Sequence, residues 1–138
     1  PAAIGASVAQ PGKKVVAVMG DFGFTFMVEE LAVAAKYQRP IVVVILNNAY
    51  LSLIRQNQKY AYNYEYAVEM KENHTFVDYV KVAKGFGCEA ERVFNPGDIE
   101  SAFRRAIESE KPYVIDIIVE ENTDCSMGAD IASVREFE

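Results

Sequence analysis

Residues 20–50 read GDFGFTFMVEELAVAAKYQRPIVVVILNNAY, and the order of apolar runs and turns in this stretch decides the fold class. Just before it, Val15–Met19 is an unbroken apolar run, the pattern of a strand buried on both faces. The run ends at Gly20-Asp21, where a carboxylate enters as the backbone turns. Met27, Leu31, Ala34 and Ala35 then fall on one face of a 3.6-residue repeat and predict a helix. Pro40 stops that helix, and Ile41–Leu46 is a second apolar, β-branched run that leads into Asn47-Asn48. Two strands joined by a helix in one sheet run parallel, with a right-handed crossover. Asp21 and Asn48 therefore fall at carboxyl ends of strands, where open α/β sheets bind ligands. Two hard oxygen donors there, beside a helix N-terminus, suit a divalent cation holding a diphosphate. The plainer alternative is that Asp21 only caps the helix; Asn48 at the matching strand end favours ligation.

Length and composition narrow the classes. A chain of 138 residues that is 51% hydrophobic forms one domain with a real core and is not a disordered segment. No apolar run approaches the roughly 18 residues of a membrane span. A net charge of −6 leaves no electrostatic footprint for nucleic acid. It also means that an anionic ligand must be held locally, by a metal and backbone N–H groups. Cys88 and Cys125 lack metal or redox spacing, which points to a reduced, cytoplasmic setting. Gly12-Lys13 does not extend to a phosphate-binding loop, because no Ser or Thr follows the lysine. Asp21-Phe22-Gly23 spells a kinase tripeptide without the catalytic loop that kinases need, and Gly20-x-x-Gly23 lacks the three-glycine dinucleotide spacing.

The rest of the chain repeats the strand–helix alternation. Ala2–Ala9 reads as a short helix of small residues that Pro11-Gly12 ends, and Leu51–Gln58 as another short helix. Tyr60, Tyr62, Tyr64 and Tyr66 alternate with smaller or polar residues; an irregular segment over a site is preferred there to a strand. Thr75 opens a capping-box-like start, with Phe76, Tyr79, Val80 and Ala83 as the buried face and Gly85 or Gly87 as the stop. Glu89–Val93 reads as a short, more polar strand, and Asn95-Pro96 as the opening of a helix. That helix has Ile99, Ala102, Phe103, Ala106 and Ile107 on its apolar face. Tyr113–Val119 is the last strand, with Asp116 expected at a surface or edge, and His74 is expected in a solvated loop. The expected organisation is an α/β domain over residues 1–122 and an extended tail over 123–138.

Gly20-Asp21, a spacer of twenty-five residues and Asn47-Asn48 resemble the thiamine-diphosphate motif. The words EELAVAA, LNNAYLSLIRQ and SMGADI, the FVDYVKVAKGFGC helix and the terminal EFE resemble the glyoxylate carboligase branch of the acetolactate synthase-like enzymes. The resemblance runs from Pro1 to Glu138 and is to the carboxy-terminal cofactor domain alone. Pro1 opens directly into a helical run, which reads as a cut through a longer polypeptide. The resemblance therefore implies an open parallel sheet with helices on both faces, truncated at its N-terminus, the diphosphate-binding domain of that fold.

It also implies site residues. Asp21, Asn48 and the Tyr50 carbonyl would bind Mg²⁺, and Gly20, Phe22, Gly23, Phe24, Leu51 and Leu53 would join them around thiamine diphosphate. Phe22 stands where the motif usually has glycine, Gly23 and Ser52 depart from residues common in that branch, and Leu53 stands where acetolactate synthases often have Met. The implied activity is decarboxylation of a 2-oxo acid and ligation of the remainder to a second carbonyl, with glyoxylate giving tartronate semialdehyde. Acetolactate synthase or 2-oxo acid decarboxylase is the alternative within the class, and a non-catalytic cofactor-binding or assembly module the alternative outside it. No catalytic residue is assigned. The pyrimidine-binding domain and a middle domain that can hold FAD would lie outside these residues, in a homo-oligomer. By itself the chain is expected to turn over no substrate.

Overall fold

The computed structural model describes residues 1–71, 77–121 and 124. Two compact units divide them, residues 1–47 with 78–119 and residues 48–77 with 120–138. The first unit carries a four-stranded, wholly parallel sheet in the order β1-β2-β4-β3. Its strands are β1 (Val16–Gly20), β2 (Val42–Asn47), β3 (Glu89–Val93) and β4 (Tyr113–Ile118). Its helices are α1 (Ala2–Ala9), α2 (Asp21–Thr25), α3 (Glu30–Lys36), α5 (Tyr79–Gly85) and α6 (Ile99–Glu108). The second unit contains α4 (Ser52–Asn57), which runs on into a wider π-type turn over Gln58–Tyr62.

Helices cover both faces of the sheet. On one face Val43, Ile45 and Val114 pack with Phe24 of α2, Leu31 and Ala34 of α3, and Tyr79 and Ala83 of α5. On the other, Val42, Val44, Ile115 and Ile117 pack with Ala102 and Ala106 of α6. The alternation along β2 and β4 is the strand period of two, with both sets of side chains buried. Burying a side chain such as Ile45 or Ile115 contributes about 1.5–3 kcal/mol relative to leaving it in water.

Several expectations change. One helix was expected between β1 and β2; two short ones form, separated by a turn over residues 26–29. β1 is not buried on both faces, since Val16 and Val18 are exposed, 43% and 62%. It is an edge strand, and α6 does not reach across to it. Ile107 is also exposed, at the limit of the α6 stripe. The α5 cap is Asp78, which accepts from the Lys81 N–H at 3.2 Å. Thr75, Phe76 and His74 lie outside the described residues, as do Cys125, Ser126-Met127-Gly128 and, save Asp124, the expected tail. Cys88 is a buried free thiol.

The largest correction concerns Asp116. It was expected at a surface or edge, but β4 inserts between β2 and β3, so the last strand in sequence is interior. Asp116 is fully buried. A buried carboxylate needs partners, and it has two. Asn47 Nδ2 donates to Oδ1 at 2.9 Å and Arg92 Nε to Oδ2 at 2.8 Å.

Candidate functional site

In the first unit the site is built at the carboxyl ends of β1 and β2. Gly20 is in register with Leu46, so Asp21 follows one strand end and Asn47 closes the adjacent one. Asp21 is the first residue of α2 and is 3% exposed. The residue at the helix cap position is Gly20, and Asp21 follows it in the first turn. Its Oδ1 accepts the Phe22 N–H at 2.8 Å. Side chains built at Gly20 or Gly23 would meet nothing within 4 Å, so open space flanks this turn. The Phe24 ring lies in the core, edge-on to Tyr79 at 5.5 Å, and Phe22 packs edge-on against Phe26 at 5.0 Å. Burial, reinforced by the negative charges of Asp21 and Asp116, pushes the Tyr79 phenol up to about 12.

The second unit begins at Asn48. Asn48 is buried, and its Oδ1 accepts from Ser52 Oγ at 2.9 Å and from the Tyr50 N–H at 3.3 Å. Ser52 Oγ also lies 3.3 Å from the Tyr50 carbonyl oxygen. Two predicted metal donors, the Asn48 amide oxygen and the Tyr50 carbonyl, thus converge on one hydroxyl. Ala49 between them is buried with φ at +59°, the left-handed region that costs a residue with a Cβ about 1–2 kcal/mol. Such strain concentrates where the surrounding structure holds a particular backbone shape. Here Met70 N–H donates to the Ala49 carbonyl at 2.7 Å, Leu51 N–H donates to Val68 at 2.8 Å, and Tyr50 bridges Glu69. Leu51 is half-buried and Leu53 is 51% exposed. Arg55 lies 4.4 Å over the Tyr50 ring, pairs with Glu65 at 2.9 Å and donates to the Glu121 carbonyl at 2.6 Å.

The donors proposed for a metal are a carboxylate, an amide oxygen and a main-chain carbonyl, all hard oxygens of the kind Mg²⁺ takes. Only one is a full charge, and among the described residues no group of three His, Cys, Asp or Glu could hold a metal. These donors therefore fit Mg²⁺ shared with a phosphate group, which would supply further oxygens. Also in the first unit is a largely apolar cavity of about 220 Å³ lined by Ile4, Met19, Phe24, Leu31 and Val43, with Glu30 also on its wall.

The Asp116–Arg92 pair, the contacts of Ser52 with Asn48 and Tyr50, and Arg55 over the Tyr50 ring were not anticipated from the sequence, where Asn47 was read only as part of the motif. Ser52 was legible, four residues from Asn48 and two from Tyr50. For Asp116 the signal was a lone acid inside YVIDII, which in a doubly buried strand demands a donor.

An open parallel α/β sheet with acidic and amide groups at its carboxyl edge defines a ligand-binding domain of the doubly covered kind. The chain belongs to the thiamine pyrophosphate enzymes, C-terminal TPP-binding domain, whose family model matches residues 1–117. It is 45% identical to glyoxylate carboligase of Escherichia coli O157:H7, over all of this chain and 25% of that protein. A probable acetolactate synthase large subunit of Methanocaldococcus jannaschii is 37% identical over 87% of this chain and 20% of its own length. Among solved structures, the thiamine diphosphate-dependent 4-hydroxybenzoylformate decarboxylase of Rhodococcus jostii superposes with a TM-score of 0.78 at 31% identity. That match covers 91% of this chain and 23% of the decarboxylase. The chain thus spans a quarter or less of the length of each relative. Among the described residues no helix is long and apolar enough to cross a membrane.

Proposed function

We propose that this chain is the Mg²⁺ and diphosphate-holding part of a cytoplasmic thiamine-diphosphate carboligase that joins two 2-oxo acid-derived units, glyoxylate being the favoured substrate. The observation that carries it is the pair of oxygen sets: buried Asp21 after β1, and the Asn48 and Tyr50 oxygens turned toward one hydroxyl after β2. On this reading Asp21, Asn48 and the Tyr50 carbonyl hold Mg²⁺. Gly20, Phe22, Gly23 and Phe24 border the diphosphate, and Leu51 and Leu53 border the cofactor from the other segment. The Asp21 carboxylate accepts the Phe22 N–H, and on this reading that bond would help to orient it toward the metal. Bound thiamine diphosphate supplies the electron sink for decarboxylation and carbon–carbon bond formation. The residues of this chain neutralise and orient it, which is how protein groups contribute when a cofactor carries the chemistry.

Glyoxylate is favoured over other 2-oxo acids by the 45% identity to a glyoxylate carboligase against 37% for an acetolactate synthase. The pyrimidine half of the cofactor, any FAD and the substrate pocket belong on this reading to further domains of a homo-oligomeric enzyme. Calorimetric titration of the full enzyme with thiamine diphosphate, with and without Mg²⁺, tests the site. Asp21→Ala is expected to abolish Mg²⁺-dependent binding with the fold intact, because it removes the one carboxylate proposed as a ligand. Undiminished Mg²⁺-dependent affinity in that variant would remove Asp21 from the site. Release of CO₂ from glyoxylate, measured against pyruvate, decides the substrate.

A further inference from the structure

We propose that Asp116 is a positioning residue for the metal: through Asn47 it pins the end of β2, from which Asn48 follows directly. The inference rests on the Mg²⁺ reading of Asn48 given above. Asp116 sits in the interior strand β4, in register with Ile45 of β2 and Arg92 of β3. Its two oxygens are divided between those strands, Oδ1 accepting from Asn47 and Oδ2 from Arg92. Arg92 also donates to Asp78 at 3.2 Å, the cap of α5, so the network ties three strands and a helix start.

Asn47 is held to β4 and the segment after it by side chain and main chain alike. Its side chain is bound by Asp116, and its carbonyl accepts the Val119 N–H at 2.9 Å. It is 1% exposed. A carboxylate only accepts, so Asp116 also dictates which end of the Asn47 amide faces β4. Side chain and main chain of the last β2 residue are thereby fixed to β4 and the residue after it, and Asn48 is the next residue in the chain. Stability alone does not account for an acid here. Apolar side chains of similar volume replace buried ion pairs with little loss or with a gain, and the neighbouring core is Ile and Val.

The test compares the full wild-type enzyme with Asn47→Asp, Asp116→Asn and the double variant. Mg²⁺ affinity is measured by calorimetry at saturating thiamine diphosphate, with a thermal melt of each protein. Asn47→Asp sets two carboxylates against each other. The double variant restores a donor–acceptor pair with the roles exchanged, and the new amide oxygen at 116 still accepts from Arg92. Loss of such supporting contacts typically weakens metal binding about 10- to 100-fold, the decrease expected for Asn47→Asp. The double variant is expected to return to within about threefold of wild type, the signature of direct coupling in a mutant cycle. A lower melting temperature with unchanged Mg²⁺ affinity in folded Asn47→Asp would overturn the proposal, and so would a folded double variant that binds no better than Asn47→Asp. If Asn47→Asp does not fold, Asp116→Leu replaces it: a folded protein with wild-type Mg²⁺ affinity overturns the proposal, and a tenfold weaker one supports it. Wild-type enzyme that binds thiamine diphosphate without regard to Mg²⁺ would overturn the reading of the site itself, and this inference with it.

Discussion

The two units of this chain keep their polar groups in order in different settings. In the sheet unit the decisive bonds span long stretches of sequence: Asn47 meets Asp116 69 residues on, and Arg92 meets Asp116 across 24. In the unit that starts at Asn48, local bonds stand beside long ones that Arg55 and Lys71 make to Glu121 and that Lys59 and Tyr60 make to Asp124. Asn48 and Ser52 are four residues apart, Gln58 and Tyr66 eight, Arg55 and Glu65 ten. The sheet unit rests on two packed apolar clusters, whereas Tyr60, Tyr62, Tyr64 and Tyr66 are all exposed. The difference teaches a division of labour. A cooperative scaffold carries Asp21, and a segment with little buried apolar surface, which opens at low free-energy cost, carries Asn48 and Tyr50.

The sharpest way to break this comparison is in the scaffold. Ile115→Ala empties a fully buried site and is expected to cost about 2–5 kcal/mol. Denaturant unfolding should show the loss across every strand; a loss confined to one strand would refute a cooperative sheet. Alkali is the second lever. Burial pushes the Cys88 thiol up to about 11 and the Tyr79 phenol up to about 12, from 9.0 and 10.0. The folded state therefore holds protons that the unfolded state releases. The stability from Cys88 is complete below pH 9 and lost as pH rises through about 11; that from Tyr79 is complete below pH 10 and lost through about 12. Each group steepens the decline by at most about 1.4 kcal/mol per pH unit. Cys88→Ala should remove the part that begins near pH 9, and an unaltered profile would place that thiol in water.

Third comes Arg55→Ala, which removes the ring contact on Tyr50 together with the Glu65 and Glu121 bonds. About 1–2 kcal/mol of local opening free energy should be lost. Hydrogen exchange should accelerate across residues 50–66 and not in the strands. Equal acceleration in β2 and β4 would mean that the two regions open together. The smallest effect belongs to Ala49→Gly. Relief of the left-handed strain outweighs the added chain entropy by up to about 1 kcal/mol, and a thermal melt that drops instead would show that the Ala49 methyl contributes to packing.

The same division governs what could be read from sequence. Strand–helix alternation, the parallel sense of β1 and β2 and the limits of β3 follow from local periodicity and from Pro40 and Pro96, and they were legible. The motif itself, Gly20-Asp21 and Asn47-Asn48, is also local. The strand order was not legible, because nothing within YVIDII says that the last strand enters the middle of the sheet. Asp116 was misplaced for that reason alone. The exposure of Val16 and Val18 was hidden by the same gap, since an apolar run looks alike at an edge and in the interior. The break between α2 and α3 escaped because Met27, Leu31, Ala34 and Ala35 keep helical spacing across it.

Placing β4 beside β2 also has a consequence for the chain as it is made. β2 is complete at Asn47, but the strand that pairs with it on one side and supplies the partner of its last side chain does not arrive until Asp116, 69 residues later. At about 5–20 residues per second that gap lasts on the order of 10 s of synthesis. Throughout it, the most apolar strand of the domain has one bare edge and an asparagine without its acceptor on β4. A ribosome-bound nascent chain is in that interval a sticky species, and the pairing of β2 with β4 waits until Ile118 has been made.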